Sequence, residues 1–214
     1  MSARITIIDY GVSNLHNVCR AFEHCGANIE LAADPEVIAK AERLVLPGVG
    51  AFSDGMQGLE AIDAITSIQK FAETERPFLG ICLGMQMMLN SSQEFGETAG
   101  LGLLPGEVIH IPTCRTDGKA HKIPRIGWDS LLLPEGREDW SNSILDSTTP
   151  GSAVYFVHSY MAMPENDGDR LAEYDYDGVR VCAALQHNAL FGCQFHPEKS
   201  GDVGLDIIRR FLSF

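Results

Sequence analysis

The chain has 214 residues, of which 45% are hydrophobic and 21% are charged, and its formal net charge is −13 at pH 7. This length suits one domain with a sizeable core, so we predict a single domain over residues 1–214. The acidic balance argues against a nucleic-acid-binding surface. No stretch of the sequence is long and apolar enough to cross a membrane. Composition therefore favours small molecules or other proteins as partners.

Six cysteines are distributed along the chain with neither a C-x-x-C pair nor a spacing typical of metal ligands. We therefore expect free thiols in a reducing cytoplasm and no bound metal. Two of them, Cys182 and Cys193, lie in apolar strand-like runs, where a small buried side chain is the expected role. The others are Cys19, Cys25, Cys82 and Cys114.

The first half of the chain alternates between apolar strand-like runs and apolar residues at helical spacing. We predict strands over residues 5–9, 29–32 and 44–46, and helices over residues 15–22 and 59–71. Strands that alternate with helices imply a parallel sheet with right-handed crossovers.

The second half of the chain is richer in strand-like runs. We therefore predict an α/β fold with an open, mostly parallel central sheet flanked by helices, and with β-rich additions in the second half. The predicted elements are strands over residues 108–111, 130–133, 154–160, 171–176 and 181–186, loops over residues 91–102 and 112–121, and a closing helix over residues 203–214.

A glycine-flanked cysteine lies in the pentapeptide Gly80-Ile81-Cys82-Leu83-Gly84, directly after an apolar run. The pattern predicts a buried strand, a sharp turn and a helix that begins near residue 85. The two glycines leave room for a strained backbone at Cys82 and for close packing of strand against helix. The helix would direct unpaired N–H groups toward the sulfur. Cys82 is thus a candidate nucleophile, although a structural cysteine in a tight βα turn gives the same pattern.

A second pattern near the end of the chain contains His196, Pro197 and Glu198. On an extended segment, residues two apart share a face, and Pro197 disfavours a helical conformation at His196. An imidazole beside a carboxylate is the base and orienting group that a thiol nucleophile needs. Alone, this tripeptide is more typical of a surface turn. Together with the glycine-flanked cysteine, it predicts a catalytic triad of Cys82, His196 and Glu198.

The order of these motifs resembles that of the class I, triad-type glutamine amidotransferases. Within that family it is most similar to the glutaminase subunits of imidazole glycerol phosphate synthase. The resemblance runs almost end to end and implies hydrolysis of L-glutamine to glutamate and ammonia, with no cofactor. The segments that carry it are residues 8–11, 14–15, 46–52, 80–86, 124–128, 155–160 and 192–200.

The resemblance also implies further site residues. In the family, the loop after the third strand supplies one oxyanion-hole N–H, here from Val49, and the residue after the nucleophile, Leu83, supplies the other. Taken alone, the loop is an ordinary βα turn, and Glu94 is a solvated carboxylate. His158 lies within a predicted strand, where we expect a structural or interface role. The resemblance assigns substrate binding to Gly48, Gly50, Gln86, Glu94, Ser159 and Tyr160.

In this family the partner is a (β/α)8-barrel cyclase that forms a heterodimer with the glutaminase and receives its ammonia. The segments around Asn14 and Trp128 face that partner. Three residues depart from the family pattern: Ser13, Arg125 and Asp129 stand where glycine, histidine and asparagine are usual. None of the three belongs to the triad. They lie in the segments that face the partner in this family, so they bear on the identity of the partner and not on the glutaminase chemistry.

Three alternatives stay open at the level of the sequence. The chain fits the glutaminase subunit of a sugar-amidinating synthase from surface-polysaccharide biosynthesis. It also fits a stand-alone γ-glutamyl hydrolase on the same fold, which would be fully active without a partner. A non-catalytic binding subunit is the third alternative, and the presence of Cys82, His196 and Glu198 argues against it.

Overall fold

A computed structural model describes residues 3–11 and 14–214 of the chain. Strands and helices alternate in the first half, and strands predominate in the second. The elements are β1 (Arg4–Ile8), α1 (Leu15–His24), β2 (Asn28–Ala32), α2 (Pro35–Lys40), β3 (Leu44–Gly48), α3 (Phe52–Ala61), α4 (Ile65–Ala72), β4 (Phe78–Cys82), α5 (Leu83–Met87), β5 (Leu89–Ser92), β6 (Thr98–Ala99), β7 (Leu104–His110), β8 (Arg125–Ser130), β9 (Ala153–His158), β10 (Tyr160–Pro164), β11 (Arg170–Tyr176), β12 (Val179–His187), β13 (Leu190–Cys193) and α6 (Gly201–Leu212).

A seven-stranded sheet in the order β11-β12-β13-β4-β3-β1-β2 forms the centre of the molecule. The five strands from β13 to β2 are parallel, whereas β12 and β11 are antiparallel to their neighbours. Strand β4 is buried along its whole length, as expected for a parallel strand covered on both faces. The sheet confirms the predicted α/β fold with an open, mostly parallel centre.

Two hydrophobic clusters lie on opposite faces of this sheet because successive side chains of a strand alternate between its faces. Ile5 and Ile7 pack on the face covered by α1 and α6, together with Phe22 and Phe211. Ile8 packs on the other face, in the cluster that contains the buried residues of α2, α3, α4 and α5. Among the described residues, no helix is long and apolar enough to span a membrane.

The β-rich additions form two smaller sheets, which confirms this part of the prediction. One has four strands in the order β10-β7-β5-β6, and the other is the antiparallel ribbon of β8 and β9. In the ribbon, Arg125 pairs with His158 and Ile126 pairs with Val157. The ribbon is important for the site because its β9 strand ends beside the carboxyl edge of the central sheet.

The single helix predicted over residues 59–71 is wrong, because the structure has two helices there. Helix α3 ends at Ala61, and α4 begins at Ile65. Between them Asp63 has φ +55°, and its N–H donates to the carbonyl of Glu60. Aspartate tolerates this left-handed conformation, which ends the first helix without interrupting the apolar spacing.

Several strand boundaries also differ from the prediction. The predicted loop over residues 91–102 contains the end of β5 and the short strand β6. The predicted strand over residues 154–160 is divided at Ser159 into β9 and β10, and β8 ends at Ser130, where a strand was expected to begin. The ends of these strands are set by pairing with other strands, β5 with β6 and β7 and β8 with β9, so local hydrophobicity does not define them.

Helix α5 begins at Leu83, two residues before the predicted start, and directly follows Cys82. The glycines on either side of the cysteine are required by close contacts. A Cβ added at Gly84 would overlap the carbonyl group of Leu46 in β3, and one added at Gly80 would lie 2.7 Å from the backbone nitrogen of Met85. The turn is therefore packed against the neighbouring strand, with no room for side chains.

We predict that Gly84→Ala lowers the free energy of unfolding by about 3 kcal/mol or more, because the added methyl group meets rigid backbone. Guanidinium-induced unfolding measures the change. Gly118→Ala is the control: no atom lies within 4 Å of the methyl group added there, and φ is +81°. That variant is expected to lose only about 1–2 kcal/mol, which is the cost of a left-handed backbone conformation in a residue with a side chain. An equal loss in the two variants would contradict the packing argument.

Candidate active site

Cys82 has a backbone conformation that a residue with a side chain rarely adopts, with φ +54° and ψ −109°. It is the last residue of β4 and immediately precedes α5. Such strain persists only where the surrounding structure holds it, and it is found most often at functional sites. The turn places the cysteine at the carboxyl edge of the sheet, as the glycine-flanked pattern predicts.

His196 reaches this edge because β13 is the parallel neighbour of β4. Cys193 pairs with Ile81, so the two strands end side by side. The backbone of His196 is then fixed by two hydrogen bonds: its N–H donates to the carbonyl of Tyr155 at 2.9 Å, and its carbonyl accepts from the hydroxyl of Ser200 at 2.7 Å. The histidine is therefore held between the central sheet, the β8–β9 ribbon and the start of α6.

Nδ1 of His196 lies 2.8 Å from Oε1 of Glu198, and the two side chains are 2% and 1% exposed. His196 is extended, but residues Pro197–Lys199 form a turn of 3-10 helix. The prediction that both residues lie on one extended segment is therefore wrong, although their side chains do meet. Because Nδ1 faces Glu198, Nε2 is the ring nitrogen left for the cysteine, and it has no hydrogen-bond partner among the described residues.

Burial lowers the pKa of His196, but its interactions with Cys82 and Glu198 outweigh burial and raise the pKa to about 10. A pKa in this range favours protonation of both ring nitrogens at neutral pH. His196 and Glu198 thus have the contact expected of a proton carrier and its orienting carboxylate, and His196 lines one cavity together with Cys82.

A cavity of about 270 Å³ opens beside the cysteine. It brings together nine of the eleven residues that the sequence and its resemblance single out. These nine are Val49, Gly50, Cys82, Leu83, Gln86, Glu94, Ser159, Tyr160 and His196, and the wall is completed by Pro124, Val157 and His158. No described residue accepts a hydrogen bond from the backbone N–H of Val49 or Leu83. Both N–H groups are thus left without an acceptor in the described part of the chain.

The remaining two residues, Gly48 and Glu198, lie behind this cavity and line a smaller void. A Cβ at Gly48 would lie 2.7 Å from the hydroxyl oxygen of Tyr10, which itself donates to the carbonyl of Pro47 at 2.7 Å. Gly48 is therefore packed against the tyrosine and does not face the cavity. Its expected contact with substrate has no support in this geometry.

Glu94 is brought to the cavity by a helix that is distant in sequence. Its Oε2 accepts a hydrogen bond of 2.7 Å from the backbone N–H of Phe52, the first residue of α3. A carboxylate is favoured at this end of a helix, where N–H groups are unsatisfied. Burial and the negative charge of Glu94 raise the pKa of Tyr160, which lies across the cavity wall. Glu94 is thus a fixed carboxylate of the site.

His158 has both ring nitrogens engaged. Nδ1 donates to the carbonyl of Tyr160 at 2.8 Å, and Nε2 accepts from the hydroxyl of Tyr174 at 2.9 Å. Burial lowers the pKa of His158 to about 4, so the ring is neutral at physiological pH. Because neither nitrogen is left to take a proton, His158 is suited to the structural role that its position in a strand predicts.

Two further side chains contact the triad, and neither contact was predicted from the sequence. The amide nitrogen of Asn14 lies 3.4 Å from Oε1 of Glu198, and that of Gln194 lies 3.7 Å from Sγ of Cys82. Gln194 is fully buried. The sequence did contain a signal for Gln194. It lies two residues before His196 and next to an apolar strand, where a buried polar side chain requires a hydrogen-bond partner.

Two of the three departures from the family pattern pair with each other. The Arg125 guanidinium donates to both carboxylate oxygens of Asp129, at 2.6 and 2.8 Å. An arginine that donates two hydrogen bonds to one carboxylate fixes the relative position of the two groups. Here the pair joins two residues of β8 that are four positions apart. The third departure, Ser13, lies outside the described residues.

The chain belongs to the family described as glutamine amidotransferase class-I, whose model matches residues 6–213. It is 54% identical over 208 residues to imidazole glycerol phosphate synthase subunit HisH 1 of Legionella pneumophila (strain Lens), covering 97% of this chain and 98% of that protein. It is 42% identical to the HisH subunit of Geobacter sulfurreducens over 209 residues, 97% of each chain. The structure of PurLQS from Thermotoga maritima shares the fold, with a TM-score of 0.72 at 21% identity over 100% of this chain and 99% of that one.

We predict that His196 is protonated at pH 7 and that Cys82→Ala lowers the pKa of His196 from about 10 toward the usual histidine range, because the cysteine is one cause of the increase. NMR titration of the imidazole carbons measures both, with His196→Gln to assign the resonance. His158 is an internal control, expected to stay neutral until the pH approaches about 4. A neutral His196 at pH 7, or a pKa that Cys82→Ala leaves unchanged, would contradict the expected ion pair.

Proposed function

We propose that this chain is the glutaminase subunit of an imidazole glycerol phosphate synthase and acts in histidine biosynthesis. The observation that carries the proposal is that Cys82 and His196 line one cavity while Glu198 contacts His196 from behind it, in a chain 54% identical to a HisH subunit over nearly its full length. All six cysteines are free thiols, which supports a cytoplasmic setting.

In the proposed reaction, Sγ of Cys82 attacks the carbon of the glutamine γ-carboxamide. The N–H groups of Val49 and Leu83 stabilise the oxyanion that forms. His196 gives its proton to the departing ammonia as the carbon–nitrogen bond breaks, while Glu198 holds the imidazole in position. His196 then takes a proton from water, which hydrolyses the γ-glutamyl thioester, releases glutamate and restores Cys82.

The cavity offers polar groups for both ends of glutamine. The carboxylate of Glu94 suits the α-ammonium group, and Ser159 and Tyr160 complete the polar wall. The side-chain nitrogen of Gln86 already donates to the carbonyl of Tyr160 at 3.0 Å and to Oε1 of Gln194 at 2.9 Å. Because an amide nitrogen has two hydrogens, Gln86 has its oxygen left to accept a hydrogen bond from the substrate.

The ammonia must pass to a partner, because ammonium formed in water is not nucleophilic. The β8–β9 ribbon carries Ile126 and Trp128, which are 55% and 52% exposed, while Val157 and His158 of the same ribbon line the cavity. We infer that this face docks a (β/α)8-barrel cyclase as a heterodimer. The pairing of Arg125 with Asp129 leaves neither departure as an unpaired charge on this face. The 54% identity to a HisH subunit favours the cyclase over a sugar-modifying synthase.

We expect Cys82→Ser to abolish glutamine-dependent synthesis by the reconstituted complex and to leave ammonia-dependent synthesis intact, because only the first reaction needs the nucleophile. Product formation is measured with each nitrogen source. Cys114→Ser, which changes an exposed cysteine, is the matched control and is expected to retain both reactions. Glutamine turnover that survives in Cys82→Ser would reject the assignment of the nucleophile.

We expect the isolated chain to hydrolyse glutamine slowly and to accelerate when the cyclase and its ligand bind. Val49 is followed by Gly50, with φ +103°, so the loop can turn its N–H toward the oxyanion at low steric cost. Trp128→Ala is expected to raise the Kd for the cyclase about 30-fold, as for an aromatic anchor worth about 2 kcal/mol. Titration calorimetry measures binding, and glutaminase assays measure the acceleration.

Leu31→Ala is the control for this experiment, because Leu31 is 51% exposed on β2, at the far edge of the central sheet. It is expected to bind the cyclase as the unmodified chain does. Full activity of the isolated chain would favour the stand-alone γ-glutamyl hydrolase. Acceleration by a sugar-modifying synthase and not by the cyclase would keep the chemistry and overturn the pathway.

A further inference from the structure

We propose that Gln194 is a catalytic residue whose side-chain amide donates a hydrogen bond to Sγ of Cys82 and stabilises the thiolate. Its Nε2 lies 3.7 Å from the sulfur, and the residue is fully buried. The inference rests on the proposed function, in which Cys82 is the nucleophile, and it adds a fourth side chain to the triad.

The sheet places Gln194 beside the sulfur. It directly follows Cys193, the last residue of β13, and Cys193 pairs with Ile81 of β4, the residue before Cys82. The backbone N–H of Gln194 donates to the carbonyl of Ala183 in β12 at 2.9 Å. The side chain therefore projects from backbone that is hydrogen-bonded to the sheet directly after β13, which is the rigid support that a group in contact with a nucleophile requires.

A backbone carbonyl sets the direction of the amide. The carbonyl of Tyr160 can only accept hydrogen bonds, so the nitrogen of Gln86 must face it, at 3.0 Å. The same nitrogen donates to Oε1 of Gln194 at 2.9 Å. With its oxygen committed to Gln86, Gln194 turns its nitrogen toward Cys82. The sulfur thus receives a donor.

A donor at this position favours the charged form of the cysteine. A neutral thiol is a weak acceptor, whereas hydrogen bonds to a charged acceptor are about twice as strong as neutral ones. The pair of His196 and Glu198 is neutral as a unit, so a thiolate adds one uncompensated negative charge to a buried site. Burial of that charge is costly unless hydrogen bonds satisfy it. The amide of Gln194 supplies one such bond without adding a charge.

A purely structural role for Gln194 would have a different effect. If the residue served only to hold Gln86 in place, its loss would change the KM for glutamine through the substrate cavity. It would not change the reactivity of Cys82 toward iodoacetamide, which alkylates a thiolate directly and needs neither the glutamine contacts nor the oxyanion hole. The pH dependence of alkylation therefore distinguishes the two roles.

The test compares Gln194→Met, which keeps the length of the side chain and removes the donor, with the unmodified full-length chain. Alkylation of Cys82 by iodoacetamide is followed against pH by peptide mass mapping, and glutamine turnover is measured in the complex. The alkylation midpoint is the pH at which Cys82 reacts at half its maximal rate. In Gln194→Met we expect this midpoint to rise by about one to two pH units. We expect kcat for glutamine to fall about 10- to 100-fold, with a smaller change in KM. An unchanged midpoint would overturn the proposal.

Gln194→Leu, which also removes the donor and adds no charge, is the second variant. Its midpoint is expected to rise by a similar amount, and it decides the question should Gln194→Met fail to fold. Gln186→Met is the matched control, because the amide of Gln186 donates to the carbonyl of Asn142 at 3.2 Å, away from the site. It is expected to leave the midpoint and kcat unchanged.

Cys82→Ser separates this proposal from the proposed function. Loss of turnover in Cys82→Ser, with an unchanged midpoint in both Gln194 variants, keeps the proposed function and overturns the role of Gln194. Turnover that survives in Cys82→Ser overturns both. Loss of turnover in Cys82→Ser together with a raised midpoint in the Gln194 variants supports both.

Discussion

The strained backbone at Cys82 is the constraint on which the rest of the site depends. A φ of +54° in a residue with a side chain costs on the order of 1–3 kcal/mol, and the close contacts of Gly80 and Gly84 with neighbouring backbone hold the turn in place. Gly84 approaches the carbonyl of Leu46 in the neighbouring strand β3, and Gly80 approaches the backbone of α5; β4 itself lies between the parallel strands β3 and β13. The parallel sheet that holds the strained turn at the end of β4 also places the end of β13 beside Cys82. His196 follows β13, so the sheet accounts both for the strain at Cys82 and for the position of His196 near it.

Burial then decides the electrostatics of the site. Glu198 and His196 are almost inaccessible to water, and such groups are tolerated only where partners satisfy them. Burial lowers the pKa of both His196 and His158, but only His158 ends below the usual histidine range. His196 also interacts with Cys82 and with the Glu198 carboxylate, which raise its pKa, whereas His158 contacts a carbonyl and a hydroxyl. Partners therefore set which ring carries the proton.

Sequence patterns predicted the features that depend on neighbouring residues. The elbow at Cys82 follows from two glycines and an apolar run, and the parallel sheet follows from alternating strands and helices. The patterns missed what depends on distant pairing. Gln194 meets Cys82 across 112 positions, and Glu94 meets the first turn of α3 across 42. Neither contact can be predicted without knowing that β13 adjoins β4 or how the chain returns after α5. The single helix predicted over residues 59–71 failed for a different reason. Asp63 adopts a positive φ, and the spacing of apolar residues gives no sign of it.

The proposed docking face is mechanically close to the triad. Trp128 packs edge-on against Tyr155, with ring centroids 6.0 Å apart, and the carbonyl of Tyr155 holds the N–H of His196. Asn14, in the other segment that faces the partner in this family, contacts Glu198 directly. A partner that shifts either segment therefore acts on the orientation of the imidazole through one intervening residue. Coupling between docking and glutamine hydrolysis thus needs no long path through the core, because the groups that hold the triad belong to the segments that a partner would contact.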